Sequence, residues 1–425
     1  ALSMLTTGTS STDGDITFSI AAECLTSVTT ALEVHAVGYA SQVLNCCVHV
    51  IERDLGQYIA EVDALKANQI ETGIITSLEA FSELDQNNEW DLTSVDNVTA
   101  AMELLSSLVE AVGCQHFDGI FLIAENMPRM ITLVQAMKMC IGFCEQPLCQ
   151  QAAFSLLGEI VHTSAGLLFF TTNPSEGKFG PHMDIIMPVL VDTLTYFSRI
   201  EEENERYEHM KTFNNACWSL GLIAISGTEY APSSFLRTGD SAALIQTYLS
   251  RILFPLVTAI QQLTKLDDID AIVVKQNLAI SFCRMGIVCP KEVAIALPEI
   301  LEKLLKAILL IEPSNDPGGE FAHTWTGLLC LLHANPQALL ESSRAGTAFL
   351  ELCLSQVSVE LDYDEFNQLT SQGMQPWLVA PSLIVSSPLI KGGIASILSS
   401  LQQQQPETFK KGMDTSKQFL LEAFK

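Results

Sequence analysis

The segment NACWSLGLIA, residues 215–224, decides the fold, because related segments precede and follow it at nearly constant spacing. AAFSLLGEIV (152–161) begins 63 residues earlier, and NLAISFCRMG (277–286) begins 62 residues later. The alignment places small residues at one shared position, where a tight helix crossing is expected: Gly158, Gly221 and Cys283. Recurrence at a fixed spacing predicts a tandem repeat architecture.

Each repeated segment has the apolar period of a helix and is accompanied by a second apolar helix. In residues 149–161 the apolar positions are Cys149, Ala152, Ala153, Leu156, Leu157, Ile160 and Val161. The apolar stripes of these second helices lie at 185–197, 248–263 and 293–311. Helix pairs in tandem predict an all-α fold, a HEAT-repeat alpha-solenoid in which antiparallel helix pairs form a superhelix.

Segments rich in Pro, Gly or charge interrupt the helices and predict connections between them. They are found at 171–181, 201–206, 226–240, 266–270 and 312–319. We therefore expect a frayed start over 1–14, a HEAT-repeat arch over 15–355, an irregular insertion over 356–388 and terminal helices of the same solenoid over 389–425.

The charge balance argues against nucleic acid as a direct partner. The 425 residues contain 22 Lys and Arg against 49 Asp and Glu, a net charge of −27, and only six of the basic residues fall in the first 200. Phosphate binding needs a basic stripe, whereas this field has the opposite sign. A basic partner is the natural complement, and the alternative is that acidity serves solubility alone.

The twelve cysteines indicate reduced thiols, since most stand in apolar helical segments. Cys140, Cys144 and Cys149 come nearest to a metal cluster, but the C-x-x-C spacing of zinc sites is missing. No uncharged apolar run approaches the ~20 residues that span a bilayer. We expect no metal, no cofactor and no membrane segment.

Motifs of catalysis are missing from the sequence as well. Phosphate-binding loops, nucleophile elbows and the zinc-binding H-E-x-x-H pattern do not occur. His162 and His323 stand near hydroxyl residues, but a lone histidine in such a place is more often structural. The chain is therefore predicted not to be an enzyme.

The position of Trp218 varies between the repeats, which favours a binding surface. Ser155 and Ile280 occupy the same position in the other two aligned segments. A position whose chemistry changes in this way suits an exposed concave face, although a core aromatic remains the alternative.

Several segments, in order along the chain, resemble the carboxy-terminal half of nuclear import receptors of the karyopherin-beta family. They are AAECLTSVTTALEVHAVGYASQVLNCCVHVI (21–51), ELLSSLVEAVG (103–113), QQAAFSLLGEIV (150–161), NNACWSLG (214–221), KQNLAISFCRMGIVCPKEVA (275–294), HANPQALL (333–340) and ILSSLQQQQPETFKKGMDTSKQFLLEAF (397–424). The resemblance covers most of the chain.

The resemblance implies a receptor fragment that holds cargo proteins carrying basic proline-tyrosine nuclear localisation signals, in the cytoplasm and the nucleus. The expected cargo contacts are Trp218, Ile280, Glu103, Glu110, Glu159 and Thr99. Thr99 stands where the family has an aliphatic residue, which weakens the expected apolar grip. Nucleoporins and the GTPase Ran are expected partners of the full-length protein, Ran mainly through repeats outside this chain. The alternative is a HEAT-repeat scaffold of a multiprotein assembly, in which the carboxylates are ordinary solvated residues.

Overall fold

A computed structural model describes residues 14–71, 93–142, 146–164, 183–226, 240–263, 269–312, 319–355, 388–411 and 414. These residues are predominantly helical, and no strand occurs among them. The helices are α1 (Gly14–Leu32), α2 (Ala40–Glu71), α3 (Thr93–Phe121), α4 (Met127–Ile141), α5 (Pro147–Ser164), α6 (Met183–Arg199), α7 (Glu203–Ile225), α8 (Asp240–Leu263), α9 (Ile269–Val288), α10 (Pro290–Val293), α11 (Leu297–Ile308), α12 (Glu320–Ala334), α13 (Gln337–Leu340), α14 (Ser343–Ser355) and α15 (Pro388–Gln404). The predicted all-α helical solenoid is confirmed.

The chain divides into two units, Ala1–Val189 and Leu190–Lys425. In the first unit α1, α3 and α5 pack side by side in chain order, while α2 and α4 pack behind them. In the second unit α7, α9 and α12 form the corresponding row, with α8 and α11 packed behind α9. In the second unit α7 and α9, which carry two of the three aligned segments, therefore lie beside one another.

The apolar pattern of 149–161 forms the buried side of α5, as predicted. None of its seven apolar residues is more than 3% exposed. Burial of a Leu, Ile or Val side chain contributes roughly 1.5–3 kcal/mol. Packing of this side against its neighbours therefore stabilises the helix.

Small residues allow the rows to pack closely, which confirms the expected tight crossing at Gly221. A Cβ atom on Gly221 would lie 2.7 Å from the Ser281 hydroxyl oxygen of α9. A Cβ atom on Gly327 of α12 would lie 1.9 Å from the carbonyl oxygen of Cys283. Two of the three aligned positions thus lie at contacts between neighbouring helices.

The structure places two helix boundaries differently from the sequence analysis. Of the charged segment 201–206, residues from Glu203 onward already belong to α7, since carboxylates are favoured at a helix amino terminus. The stripe at 293–311 is divided, because α11 begins anew at Leu297 with Pro298 in its first turn. The frayed start up to residue 13 and the insertion up to residue 387 lie outside the described residues, and Pro388 begins α15.

Three stretches are long and apolar enough to cross a membrane by length and composition alone, contrary to expectation: Phe18–Ala60, Ala242–Leu263 and Ile269–Val288. None of the three is an uncharged run, since α9, for example, includes Asp270, Lys275 and Arg284. In the structure 67% of the α9 stretch is buried inside the protein. Most of its apolar side chains are packed between helices, whereas Ile269 and Val273 are exposed.

Candidate binding surfaces

In the first unit, α3 places three of the predicted contacts on its solvent side. Thr99, Glu103 and Glu110 follow one another at spacings of four and seven residues, which put them on one helix face. Glu103 and Glu110 are exposed, and Thr99 is half-buried. Beyond them the helix kinks at Gly113, whose φ of 64° is accessible mainly to glycine.

The neighbouring helix α5 brings Glu159 to the same side. The hydroxyls of Ser106 in α3 and Ser155 in α5 are 3.0 Å apart and share a hydrogen bond between the two helices. Glu159 lies one turn beyond Ser155 and is half-buried. Burial, and then the negative charge of Glu110, raise the pKa of Glu159 from 4.5 to about 8.

A fourth carboxylate, Glu23 of α1, was not predicted. Desolvation by burial raises the pKa of Glu103, and the negative charge of Glu23 raises it further by a smaller amount. Glu23, Glu103, Glu110 and Glu159 thus form an acidic face across α1, α3 and α5. Sequence analysis missed Glu23 because only the packing of α1 on α3 brings it near Glu103.

In the second unit, Trp218 lies on the narrow solvent side of α7. Between His209 and Ser226 only Lys211, Asn214, Asn215 and Trp218 are not buried. Trp218 itself is half-buried, so it is neither a full core aromatic nor fully exposed. Part of the residue is packed and part is accessible to solvent.

Two asparagines beside Trp218 were not predicted either. Asn277 of α9 donates a hydrogen bond from Nδ2 to Oδ1 of Asn214, at 2.9 Å. One turn further along α9, the Ser281 hydroxyl donates to the carbonyl of Cys217. These bonds fix α7 against α9. The two asparagines occur in the segments that carry the resemblance, but no spacing rule pairs them.

Ile280 does not behave as an exposed contact, although it aligns with Trp218. It is only 2% exposed, because α9 is enclosed by α7, α8, α11 and α12. Thr99 is also partly withdrawn, since its hydroxyl donates to the carbonyl of Val95 at 2.9 Å. The six predicted positions thus form two groups: Thr99 and the three glutamates in the first unit, Trp218 and Ile280 in the second.

These features define a class, an all-α helical repeat protein with candidate binding surfaces on the open sides of its helix rows. The described residues contain no group of three or more His, Cys, Asp or Glu side chains placed to hold a metal ion.

The chain is similar in sequence to Transportin-1. It is 23% identical over 320 residues to Transportin-1 of Homo sapiens and, equally, to that of Mus musculus. The match covers 75% of this chain but only 27% of each relative. No family model matches the chain. A crystal structure of an engineered protein aligns over 99% of this chain and 98% of its own, with a TM-score of 0.29 and 11% identity. The sequence similarity to a transport receptor agrees with the karyopherin-beta resemblance.

Proposed function

We propose that this chain is the cargo-binding part of a nuclear import receptor and has no enzymatic activity. It binds the basic and hydrophobic parts of proline-tyrosine nuclear localisation signals. The observation that carries the proposal is the acidic face of Glu23, Glu103, Glu110 and Glu159, in a chain similar to Transportin-1.

The two surfaces contribute differently to such binding. One exposed carboxylate facing a Lys or Arg contributes only ~0–1 kcal/mol, so the acidic face mainly attracts and orients a basic peptide. A tryptophan that becomes fully desolvated contributes ~2 kcal/mol or more. The open part of Trp218 is therefore the proposed anchor, while buried Ile280 supports the helix from within.

The test is the affinity of a fluorescent peptide that carries a basic segment followed by Pro-Tyr, measured at low and moderate salt. Trp218→Ala is compared with Tyr207→Ala, which removes an exposed aromatic side chain of α7. Glu159→Lys is compared with Glu299→Lys on the exposed side of α11. We expect about tenfold weaker binding of the peptide for the first variant of each pair. The wild type should bind the peptide more weakly at moderate salt than at low salt.

The proposed cargo site is rejected if the control variants lose as much affinity for the peptide, or if neither Trp218→Ala nor Glu159→Lys changes the affinity. The alternative is a HEAT-repeat scaffold without a transport role, which is favoured by the partial packing of Trp218. A scaffold needs no signal peptide, so its Trp218 fluorescence would not respond to one.

Partners and location follow from the proposal. The full-length protein would shuttle between cytoplasm and nucleus, with nucleoporins and Ran as further partners. Because Ran acts mainly through repeats outside this chain, the isolated chain should keep its peptide when Ran is added. Release by Ran would contradict this expectation.

A further inference from the structure

A groove between α6 and α8 lies within the second unit, on helices that carry none of the predicted cargo contacts. Its volume is about 610 Å³, within the range of roughly 300–1,000 Å³ that ligand pockets span. Its walls include Asp192, Tyr196 and Arg199 from α6 and Arg251, Phe254 and Pro255 from α8.

The groove exposes apolar surface that the described residues leave uncovered. Phe254 is 66% exposed although it stands on a well-formed helix. The Tyr196 ring is held by its hydroxyl, which donates to Glu205 at 2.8 Å, and by an edge contact with His209. A fixed ring and an open phenylalanine suit an apolar side chain of a partner.

Two arginines stand beside this apolar surface in a strongly acidic chain. Arg199 forms no ion pair among the described residues. Arg251 Nη2 lies 2.8 Å from Asp192 Oδ1, but both side chains are largely exposed. Such a pair is worth only ~0–1 kcal/mol and uses one of the five N–H donors of the guanidinium, so Arg251 can donate to a ligand carboxylate while it remains beside Asp192. The groove thus offers cations and aromatic surface together.

We propose that this groove binds a short acidic peptide segment with one aromatic side chain. The aromatic side chain packs on Phe254 and Tyr196, and the flanking carboxylates pair with Arg199 and Arg251. This ligand is opposite in charge to the proposed import signal, so the inference does not depend on the proposed function. Since the net charge of −27 repels acidic peptides at long range, binding needs moderate salt.

The test uses the full chain and fluorescein-labelled Glu-Asp-Phe-Asp-Glu at about 0.15 M salt, where the Debye length is about 8 Å. Two matched peptides replace the four carboxylates by amides, or the phenylalanine by alanine. We expect each replacement to weaken binding about tenfold or more.

The protein variants are Arg199→Glu and Phe254→Ala. Their controls are Lys291→Glu, an exposed cation of α10, and Ile295→Ala, which removes a 75% exposed apolar side chain. We expect about tenfold weaker binding for the first two variants and less than about twofold change for the controls. Circular dichroism checks that each variant folds, and if Arg199→Glu does not, Phe254→Ala still decides.

The proposal is overturned if the acidic peptide does not saturate the wild type, if the amide peptide binds equally well, or if the controls lose as much. A basic Pro-Tyr peptide is titrated in parallel. Arg199→Glu should leave its affinity within about twofold, so failure of the groove and failure of the cargo site are distinguishable.

Discussion

The side-chain amide of Asn277 in α9 is hydrogen-bonded to that of Asn214 in α7, one turn before the half-buried Trp218. Both asparagines are half-buried, so water satisfies their amide groups only in part. Each therefore gains a hydrogen-bond partner from the other. The pair fixes the lateral register of the two helices next to the candidate anchor.

Asn277→Ala should therefore destabilise the protein, because it leaves the Oδ1 atom of Asn214 without this donor. The expected loss is about 1 kcal/mol. Urea denaturation of the variant measures it, with Val273→Ala, an exposed position of α9, as the neighbouring comparison. An unchanged midpoint for Asn277→Ala would mean that the amide pair does not hold the helices together.

Glu159 should make the protein less stable as the pH rises. Its folded pKa of about 8 lies above the ordinary value of 4.5, so between these values the folded chain binds more protons than the unfolded chain. Stability is then lost as the pH rises through this window. Glu159→Gln should raise the melting temperature at about pH 8.5 more than at about pH 5.5.

The comparison for this pH effect is Glu299→Gln, on the exposed side of α11. A gain that is equal at both pH values would contradict the role of Glu159. The same linkage predicts that a basic peptide, which favours ionised Glu159, binds more tightly towards pH 8.5, as anisotropy titrations would measure.

Gly327→Ala should disrupt the contact between α9 and α12. The new Cβ atom would meet the carbonyl oxygen and carbon of Cys283 at 1.9 and 2.4 Å, and a backbone group cannot rotate away. We expect a loss of about 3 kcal/mol or more in denaturant unfolding. At Gly56 of α2 an added Cβ meets nothing within 4 Å, so Gly56→Ala should be neutral or stabilising.

Arg284 is a buried cation that the fold stabilises poorly. It is 3% exposed, its Nε and Nη1 atoms have no hydrogen-bond partner among the described residues, and Glu320 Oε1 is 3.7 Å from Nη2. Burial lowers the pKa of Arg284 to about 10, although the charge of Glu320 opposes this shift.

Replacing the buried Arg284 by an apolar residue should lower the stability of the protein less than removing the carboxylate of Glu320. We expect Arg284→Met to be neutral or stabilising, and Glu320→Gln to lose about 1 kcal/mol, since Glu320 is half-exposed. Thermal unfolding of both variants checks the order. Strong destabilisation by Arg284→Met alone would show that the guanidinium is needed for structure.

The candidate site was only partly predictable. The family resemblance supplied Glu103, Glu110 and Thr99, and their spacing puts all three on one side of α3, because residue spacing fixes direction around a helix. The resemblance was not enough for Ile280, which aligns with Trp218 yet is buried by the helices on both sides of α9. Alignment of repeats gives the position on a helix, whereas exposure depends on what packs next to it.

The sequence by itself determined the all-α repeat fold, the buried side of α5 and the close helix contact at Gly221, since these follow from local periodicity and side-chain size. Only the tertiary structure decided which charges meet. Glu23 reaches Glu103, Glu110 raises the pKa of Glu159, and Arg251 meets Asp192 across two helices. The physical reason is that electrostatic interactions and desolvation depend on distances between helices, and the order of residues along one helix does not specify those distances.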